Sequence, residues 1–244
     1  MKKLSIIIPV FNEENTIFEV LKIVQELTLI NEVEKEIVVV NDCSTDGSKS
    51  EIERFQREYS NLVFVDQLLN EGKGGAIHNG VRYATGDYVI IQDADLELNP
   101  EEINRLIEPV IKGNADVVYG SRFLKSSKIE GQGYLSKLAN SFLTTLSNLV
   151  FRIEITDMET CYKLIPTSVF KTLILQEKRF GFEPEVTAKL AKIRGLKWKE
   201  VPISYFPRNT VQGKKIGWKD GVRAAHCIIK YGWLTPKKRS VKQG

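Results

Sequence analysis

Residues 86–97 read GDYVIIQDADLE and contain the pattern that decides the fold class. The stretch Asp87–Gln92 is dominated by aromatic and β-branched side chains without polar alternation, which is typical of a strand buried on both faces of a sheet. Two carboxylates, Asp93 and Asp95, follow where that strand would end, and Glu97 comes two residues later. Oxygen ligands at such a position can hold a hard divalent cation, although a solvated acidic turn has the same pattern.

Further apolar runs flank this strand, and segments with helical spacing lie between them. The predicted strands are residues 4–10, 36–40, 62–65, 87–92 and 115–119. Between the first two, apolar residues from Ile17 to Leu27 recur every three or four positions, as on one face of a helix. Near-continuous apolar strands that alternate with helices predict an α/β fold with a mostly parallel, doubly wound sheet.

Polar side chains are concentrated where four of the predicted strands end. These segments are residues 9–14, 41–42, 93–95 and 120–122. Because ligands of open parallel sheets bind beyond the carboxyl ends of the strands, we expect one site that combines all four segments. Arg122, together with Arg208 and Lys214 from a later loop, could serve an anionic substrate there, although surface cations are most often only solvated.

Two features near this edge have competing interpretations. Asp42 follows the second strand and could hydrogen-bond a nucleobase or a ribose, or it could cap the next helix. Gly72–Gly75 could cradle a phosphate at a helix N-terminus, or it could form a tight turn. Pro9–Asn12, which follows the first strand, is neither the fingerprint of a dinucleotide oxidoreductase nor the Gly-rich basic loop of a sugar nucleotidyltransferase.

The second half of the chain is predicted to contain more helix. A long helical pattern covers residues 134–153, further helices continue to residue 193, a late strand covers residues 197–204, and an amphipathic helix covers residues 217–234. The first and the last of these helices could cover the sheet, or they could lie against a bilayer.

Composition limits the cellular context. The chain of 244 residues has no linker-like segment, which predicts one domain over residues 1–236 and a basic tail at 237–244. A net charge of +4 is too weak to suggest a nucleic-acid partner, and three widely spaced cysteines suggest a reducing compartment. Without a signal peptide or a run of about 18 apolar residues, a cytoplasmic protein with no transmembrane helix is expected. The basic tail suits an anionic lipid surface, or it is simply a solvated terminus.

Five motifs in the first half resemble the family 2 glycosyltransferases of the GT-A fold, in order and at characteristic spacing. They are IIIPVFNEE at residues 6–14, VVNDCSTDGS at 39–48, NEGKGGAIHNG at 70–80, TGDYVIIQDADLE at 85–97 and GSRF at 120–123. Later stretches are similar to the bacterial branch that resembles dolichol-phosphate mannosyltransferases. They are DMETCYK at 157–163, RFGFEPEVTAKLAK at 179–192 and VPISYFPRNTVQGKKIGWKDG at 201–221.

The resemblance implies roles for individual residues. Residues 1–122 would form the nucleotide-sugar-binding half and residues 123–236 the acceptor-binding half. The residues implied to bind the nucleotide sugar are Pro9, Phe11, Glu13, Asp42, Asp93, Ala94, Asp95, Arg122 and Lys214. The metal ligands would be Asp93, Asp95 and Glu97, where Glu97 stands in place of a Gln that is frequent in the family. The catalytic groups would be Asp95, Arg122 and Arg208, and the two arginines with Lys214 would bind the donor diphosphate and the acceptor phosphate.

The resemblance also implies a reaction. A sugar would pass, with inversion at its anomeric carbon, from a nucleoside-diphosphate sugar to a dolichyl or undecaprenyl phosphate at the inner face of a membrane, with Mg²⁺ or Mn²⁺ as cofactor. A phosphate acceptor is already an anion near neutral pH, so it needs cations to position it rather than a strong base. A glycan hydroxyl acceptor would need a base, for which Asp157 and Glu159 are the candidates. A non-catalytic nucleotide- or sugar-binding module is the alternative of another class, and no oligomeric state is predicted.

Overall fold

Strands and helices alternate through the first half of the chain. The computed structural model describes residues 1–127, 129, 133–208 and 218–233. The strands are β1 (Lys3–Val10), β2 (Glu34–Asn41), β3 (Leu62–Asp66), β4 (Tyr88–Ile91), β5 (Val117–Ser121), β6 (Lys163–Pro166) and β7 (Trp198–Pro202). The α-helices are α1 (Ile17–Glu26), α2 (Ser48–Glu58), α3 (Gly72–Tyr83), α4 (Ile103–Ile111), α5 (Tyr134–Phe151), α6 (Thr167–Thr172), α7 (Phe182–Ala191) and α8 (Trp218–Trp233). Short 3₁₀ turns cover Ile30–Glu32 and Pro100–Glu102.

The strands form one seven-stranded sheet in the order β3-β2-β1-β4-β6-β5-β7. The pairs β1–β2, β1–β4, β2–β3 and β5–β7 are parallel, whereas β6 runs antiparallel to both of its neighbours. The predicted α/β fold with a mostly parallel sheet is therefore confirmed. The predicted strand 115–119 is displaced, because Gly120 and Ser121 continue β5 by pairing with Val201 and Pro202.

Helices cover both faces of the sheet, which explains why the strands lack polar alternation. Successive side chains of a strand point to opposite faces. Ile6 of β1 packs with α1, α2 and α4 around Phe55, whereas its neighbour Ile7 packs with α3 and α7 around Phe182. All four side chains are buried. Both faces of the central strands must therefore be apolar.

The two long C-terminal helices have one packed face and one exposed apolar face. α5 and α8 pack against each other, and α8 also packs against α7. The apolar side chains that remain exposed are Leu135, Leu138, Phe142 and Leu149 on α5 and Val222, Ile229 and Trp233 on α8. α5 ends at Phe151, two residues earlier than predicted, because Arg152 has a left-handed conformation that terminates the helix.

The carboxylate of Glu177 anchors α8 to the rest of the fold. Glu177 Oε2 accepts a hydrogen bond of 2.6 Å from Arg223, and Oε1 accepts bonds of 2.8 Å from the Tyr231 hydroxyl and 3.2 Å from Lys230. Burial by itself would raise the pKa of Glu177, but the bonds from Arg223, Tyr231 and Lys230 lower it to about 2. The ionised carboxylate is therefore the stabilising form.

Glu177→Gln is expected to lower the free energy of unfolding by about 1–3 kcal/mol at neutral pH, because the buried Tyr231 hydroxyl and two partly exposed cations, Arg223 and Lys230, lose a charged acceptor. Since the folded pKa lies near 2 and the ordinary value is 4.5, the contribution is complete above about pH 4.5 and disappears as the pH falls toward 2. Urea unfolding at pH 7 and pH 3 measures both effects, with the exposed Glu154→Gln as control. A difference from the wild type that does not shrink at pH 3 would contradict this role.

Candidate active site

The ends of β1 and β4 meet beneath the guanidinium of Arg208. Arg208 Nη1 and Nη2 donate to the two carboxylate oxygens of Glu13 at 2.7 and 3.1 Å, and Nη2 also donates to Asp95 Oδ2 at 3.1 Å. The backbone N–H of Arg208 donates to Glu97 Oε1 at 2.8 Å, and Arg208 Nε lies 3.7 Å from the same oxygen. The structure thus brings together four residues that the sequence placed in the site.

Asp95 lies where negative charge exceeds positive charge. Burial and the neighbouring charges of Asp93 and Glu97 raise the pKa of Asp95 to about 7, although Arg208 acts in the opposite direction. A carboxyl group with so high a pKa marks a position where one more cation would be stabilised. Asp95, with Glu97 beside it, therefore fits a divalent cation that takes its other ligands from water and substrate phosphates.

Asp93 has a different environment, although it is only two residues away. Lys73 at the start of α3 contacts Asp93 Oδ1 at 2.7 Å and donates to Cys161 Sγ at 2.7 Å. Burial would raise the pKa of Asp93, but Lys73 and the Cys161 thiol outweigh it and hold that pKa below its ordinary value. In the part of the chain that the structure describes, no three Asp, Glu, His or Cys side chains form a ready-made metal cluster. Of the three predicted metal ligands, Asp93 is therefore paired with Lys73, whereas Asp95 and Glu97 lie beside Arg208.

Lys73 contacts the site although it is not among the residues predicted from the sequence. It lies within the possible phosphate loop Gly72–Gly75, and a lysine inside a glycine-rich helix start is itself a signal. The glycines have a packing role: a Cβ at Gly74 would collide with the carbonyl oxygen of Glu177, and Gly72 has a φ of +79°. The segment starts α3, as the turn interpretation predicts, and phosphate binding there stays a prediction.

The carboxylate of Asp42 binds backbone N–H groups at the N-terminus of α3. Its Oδ1 accepts the backbone N–H of Glu71 at 2.7 Å and the amide of Gln67 at 3.1 Å, while Oδ2 accepts the N–H of Gly72 at 2.8 Å. Asp42 therefore caps α3 and not the helix that follows it in sequence, α2. A contact between Asp42 and a nucleobase or ribose stays a prediction, and it would have to share these oxygens.

The other residues predicted to line the nucleoside pocket lie at the same edge. Phe11 is exposed and Pro9 is half-buried just before it. Ala94 is buried, and its carbonyl oxygen accepts a hydrogen bond of 2.7 Å from the Thr16 hydroxyl. Their contacts with a nucleotide stay predictions. Lys214 lies outside the described residues.

Arg122 and Asp157 form a largely buried ion pair beside the carboxylates that follow β1 and β4. Arg122 Nε donates to Asp157 Oδ2 at 2.7 Å, Nη2 donates to Oδ1 at 2.8 Å, and the backbone N–H of Arg122 donates to Oδ2 at 3.0 Å. The Tyr205 ring lies 5.0 Å from the Arg122 guanidinium, and the Tyr205 hydroxyl donates to Glu97 at 2.8 Å. Tyr205 therefore connects the Arg122–Asp157 pair with Glu97, which also binds the backbone of Arg208.

The two candidate bases are placed very differently. The Asp157 side chain is 0% exposed and serves as the counterion of Arg122, so its lone pairs are occupied. Glu159 Oε1 is buried and has no hydrogen-bond partner among the residues that the structure describes. Burial and the nearby charge of Glu183 raise the pKa of Glu159 to about 7. Glu159 is therefore the better candidate of the two for accepting a proton near neutral pH.

The seven-stranded, mostly parallel sheet with helices on both faces is the GT-A fold of the structural neighbours. The chain belongs to glycosyl transferase family 2, which matches residues 5–174. An uncharacterised protein of Methanocaldococcus jannaschii is 30% identical over 206 residues, which are 82% of this chain and 80% of that protein. A dolichyl-phosphate β-glucosyltransferase of Trichomonas vaginalis is 29% identical, covering 93% of this chain and 72% of that protein.

A second curated relative acts on a different kind of acceptor. The poly(ribitol-phosphate) β-glucosyltransferase of Bacillus spizizenii is 28% identical over 76% of this chain, which spans 28% of that enzyme. Among solved structures, the glucosyl-3-phosphoglycerate synthase of Mycobacterium tuberculosis superposes with a TM-score of 0.72 at 16% identity, covering 96% of this chain and 82% of that one. The synthase has also been crystallised with Mn²⁺, UDP and phosphoglyceric acid. At this identity, the structural match shows the fold alone.

Proposed function

We propose that the chain transfers a hexosyl group from a nucleoside-diphosphate sugar to a polyprenyl phosphate, with inversion and with Mg²⁺ or Mn²⁺ as cofactor. The observation that carries the proposal is the presence of three cationic side chains among the carboxylates at these strand ends. Arg208, Lys73 and Arg122 surround the strand ends, whereas Asp157, one of the two candidate bases, is already the counterion of Arg122. Such a site suits two phosphate-bearing substrates.

The donor would bind beyond the ends of β1 and β4. Asp95 and Glu97 would hold the divalent cation, which when bound would neutralise the diphosphate and act as a Lewis acid on the leaving group. Asp93, whose charge is paired with Lys73, would instead accept hydrogen bonds from the nucleotide sugar. The Mycobacterium synthase was crystallised with UDP and either Mn²⁺ or Mg²⁺, which supports a divalent cation as cofactor.

The acceptor would bring its own nucleophile. A phosphate monoester is ionised near neutral pH, so the protein has to orient it and offset its charge. Arg208 is the best-placed group, since its side chain is 19% exposed and its guanidinium lies directly beside Asp95. The relation to a dolichyl-phosphate glucosyltransferase over 93% of the chain supports this acceptor class and the branch that the sequence resembles.

Membrane attachment at the cytoplasmic face is part of the same proposal. None of the helices in the described residues has the length and apolar character needed to span a bilayer. The exposed apolar side chains of α5 and α8 include Leu149 at 78% and Trp233 at 71% exposure. The sequence of α5 contains no acidic residue. An apolar stripe without negative charge is suited to lying in the interface of an anionic membrane, where a polyprenyl phosphate is found.

A hydroxyl acceptor is the second candidate, and Glu159 is the observation that favours it. Its buried Oε1 lacks a partner in the described part of the chain, and its pKa is raised to about 7, as a general base requires. The Bacillus relative, a poly(ribitol-phosphate) glucosyltransferase, belongs to a class with such acceptors.

Radiolabelled nucleotide sugars supplied with either polyprenyl phosphate in vesicles or oligosaccharides distinguish the two candidates. We expect label in the lipid, and we expect Glu159→Gln to retain at least half of the wild-type transfer because an ionised acceptor needs no base. The exposed Glu154→Gln is the matched control. Label found only in oligosaccharide, together with at least a hundredfold loss in Glu159→Gln, would replace the lipid acceptor by a hydroxyl acceptor.

A further inference from the structure

Arg208 occupies the position beside Asp95 that a metal ion would also need. Its guanidinium reaches Glu13 and Asp95 directly and lies 3.7 Å from Glu97. These carboxylates come from the loops after β1 and β4 and would repel one another without a cation between them. Arg208 is therefore the resident counterion of the group.

We propose that Arg208 and the divalent cation compete for the Asp95 carboxylate, so that the metal enters by displacing the guanidinium from Asp95. The inference rests on the proposed metal dependence and adds a regulatory step to it. It means that the affinity for the metal is set by an arginine as well as by the acidic residues. A site of this kind stays neutralised until metal and donor arrive together.

The exchange requires only a small side-chain movement. Nη2 is shared between Glu13 Oε1 and Asp95 Oδ2, each at 3.1 Å, whereas Nη1 is bound to Glu13 alone at 2.7 Å. Loss of the Asp95 contact therefore leaves the guanidinium attached to Glu13. The backbone N–H of Arg208 also remains bound to Glu97. Arg208 would stay within reach of the phosphates that the metal binds.

One buried atom shows that the present arrangement of Arg208 is incomplete. Within the described residues, Arg208 Nε is buried without a hydrogen-bond partner, since Glu97 Oε1 at 3.7 Å is too distant. A buried donor without an acceptor is costly. A phosphate oxygen beside the displaced guanidinium would supply that acceptor. The same movement would then free Asp95 for the metal and direct Arg208 at the substrate.

Mn²⁺ titration of the chain without nucleotide, followed by electron paramagnetic resonance, tests the competition. Arg208→Gln is expected to bind Mn²⁺ at least tenfold more tightly than the wild type. Arg208→Lys, which keeps the charge but cannot span Glu13 and Asp95 at once, should gain at least threefold and protects the test against a folding defect in Arg208→Gln. Arg105→Gln removes a cation that pairs with Glu102 away from the site, and it controls for net charge.

The outcomes separate this inference from the proposed function. Tighter Mn²⁺ binding in both Arg208 variants, lost again when Asp95→Asn is added, supports the competition. Equal affinity in the wild type and both variants, with chelator still blocking transfer, overturns the competition and leaves the metal-dependent enzyme standing. Absence of Mn²⁺ binding in every protein with and without UDP, together with transfer in excess chelator, overturns both.

Discussion

Asp95→Asn is expected to reduce sugar transfer by about 10³-fold, which is typical when a group that stabilises transition-state charge is removed. The asparagine keeps the size of the side chain but loses the negative charge that would attract the cation. The measurement uses the nucleotide sugar that the wild type accepts, in saturating Mg²⁺ or Mn²⁺. Circular dichroism should show an intact fold, because Asp95 lies in the loop beyond β4 and the strand itself is unchanged.

The exposed Glu101→Gln is the matched control for Asp95→Asn, since it removes a carboxylate from the segment just after the site. Its transfer rate should stay within twofold of the wild type. Retention of most activity in Asp95→Asn, or undiminished wild-type activity in excess chelator, would reject the metal-dependent mechanism.

Asp157→Asn is expected to lower the free energy of unfolding by about 3–5 kcal/mol, the usual effect of removing one partner of a buried ion pair. Asp157 is fully buried and accepts three hydrogen bonds from Arg122, so an asparagine leaves a largely buried guanidinium without its counterion. Urea unfolding monitored by fluorescence measures this loss. Activity toward every acceptor should fall in parallel, since Arg122 loses its position.

Glu51→Gln is a control of the same chemistry at the surface. Glu51 pairs with Arg54 at 3.0 Å on α2, where the Arg54 side chain is 48% exposed. The loss there should be below about 1 kcal/mol, as for most exposed pairs. If Asp157→Asn instead keeps full stability and loses only transfer to hydroxyl acceptors, Asp157 is a base and not a counterion.

The sequence by itself determined the central architecture. Strands β1 to β5 are visible because each is a short apolar run, and a strand buried on both faces needs no information from elsewhere in the chain. The position of Asp93, Asp95 and Glu97 beyond β4 follows from the same local pattern. The four-residue strand β6 is not predicted because its first residue, Lys163, is polar. Its burial depends on folded contacts, namely the 2.5 Å ion pair with Glu183 of α7 and bonds to the carbonyl oxygens of Met158 and Thr160.

The electrostatic partners were decided by the tertiary structure alone. Arg208 and Glu13 are 195 positions apart, and the pairs Lys73–Cys161 and Arg122–Asp157 are separated by 88 and 35 positions. Asp42 caps a helix that begins 30 residues later. Apolar periodicity is a property of one segment, whereas a charge acts on whatever folding brings within a few ångströms of it. The sequence could therefore name the charged groups of the site but not say which of them neutralise one another.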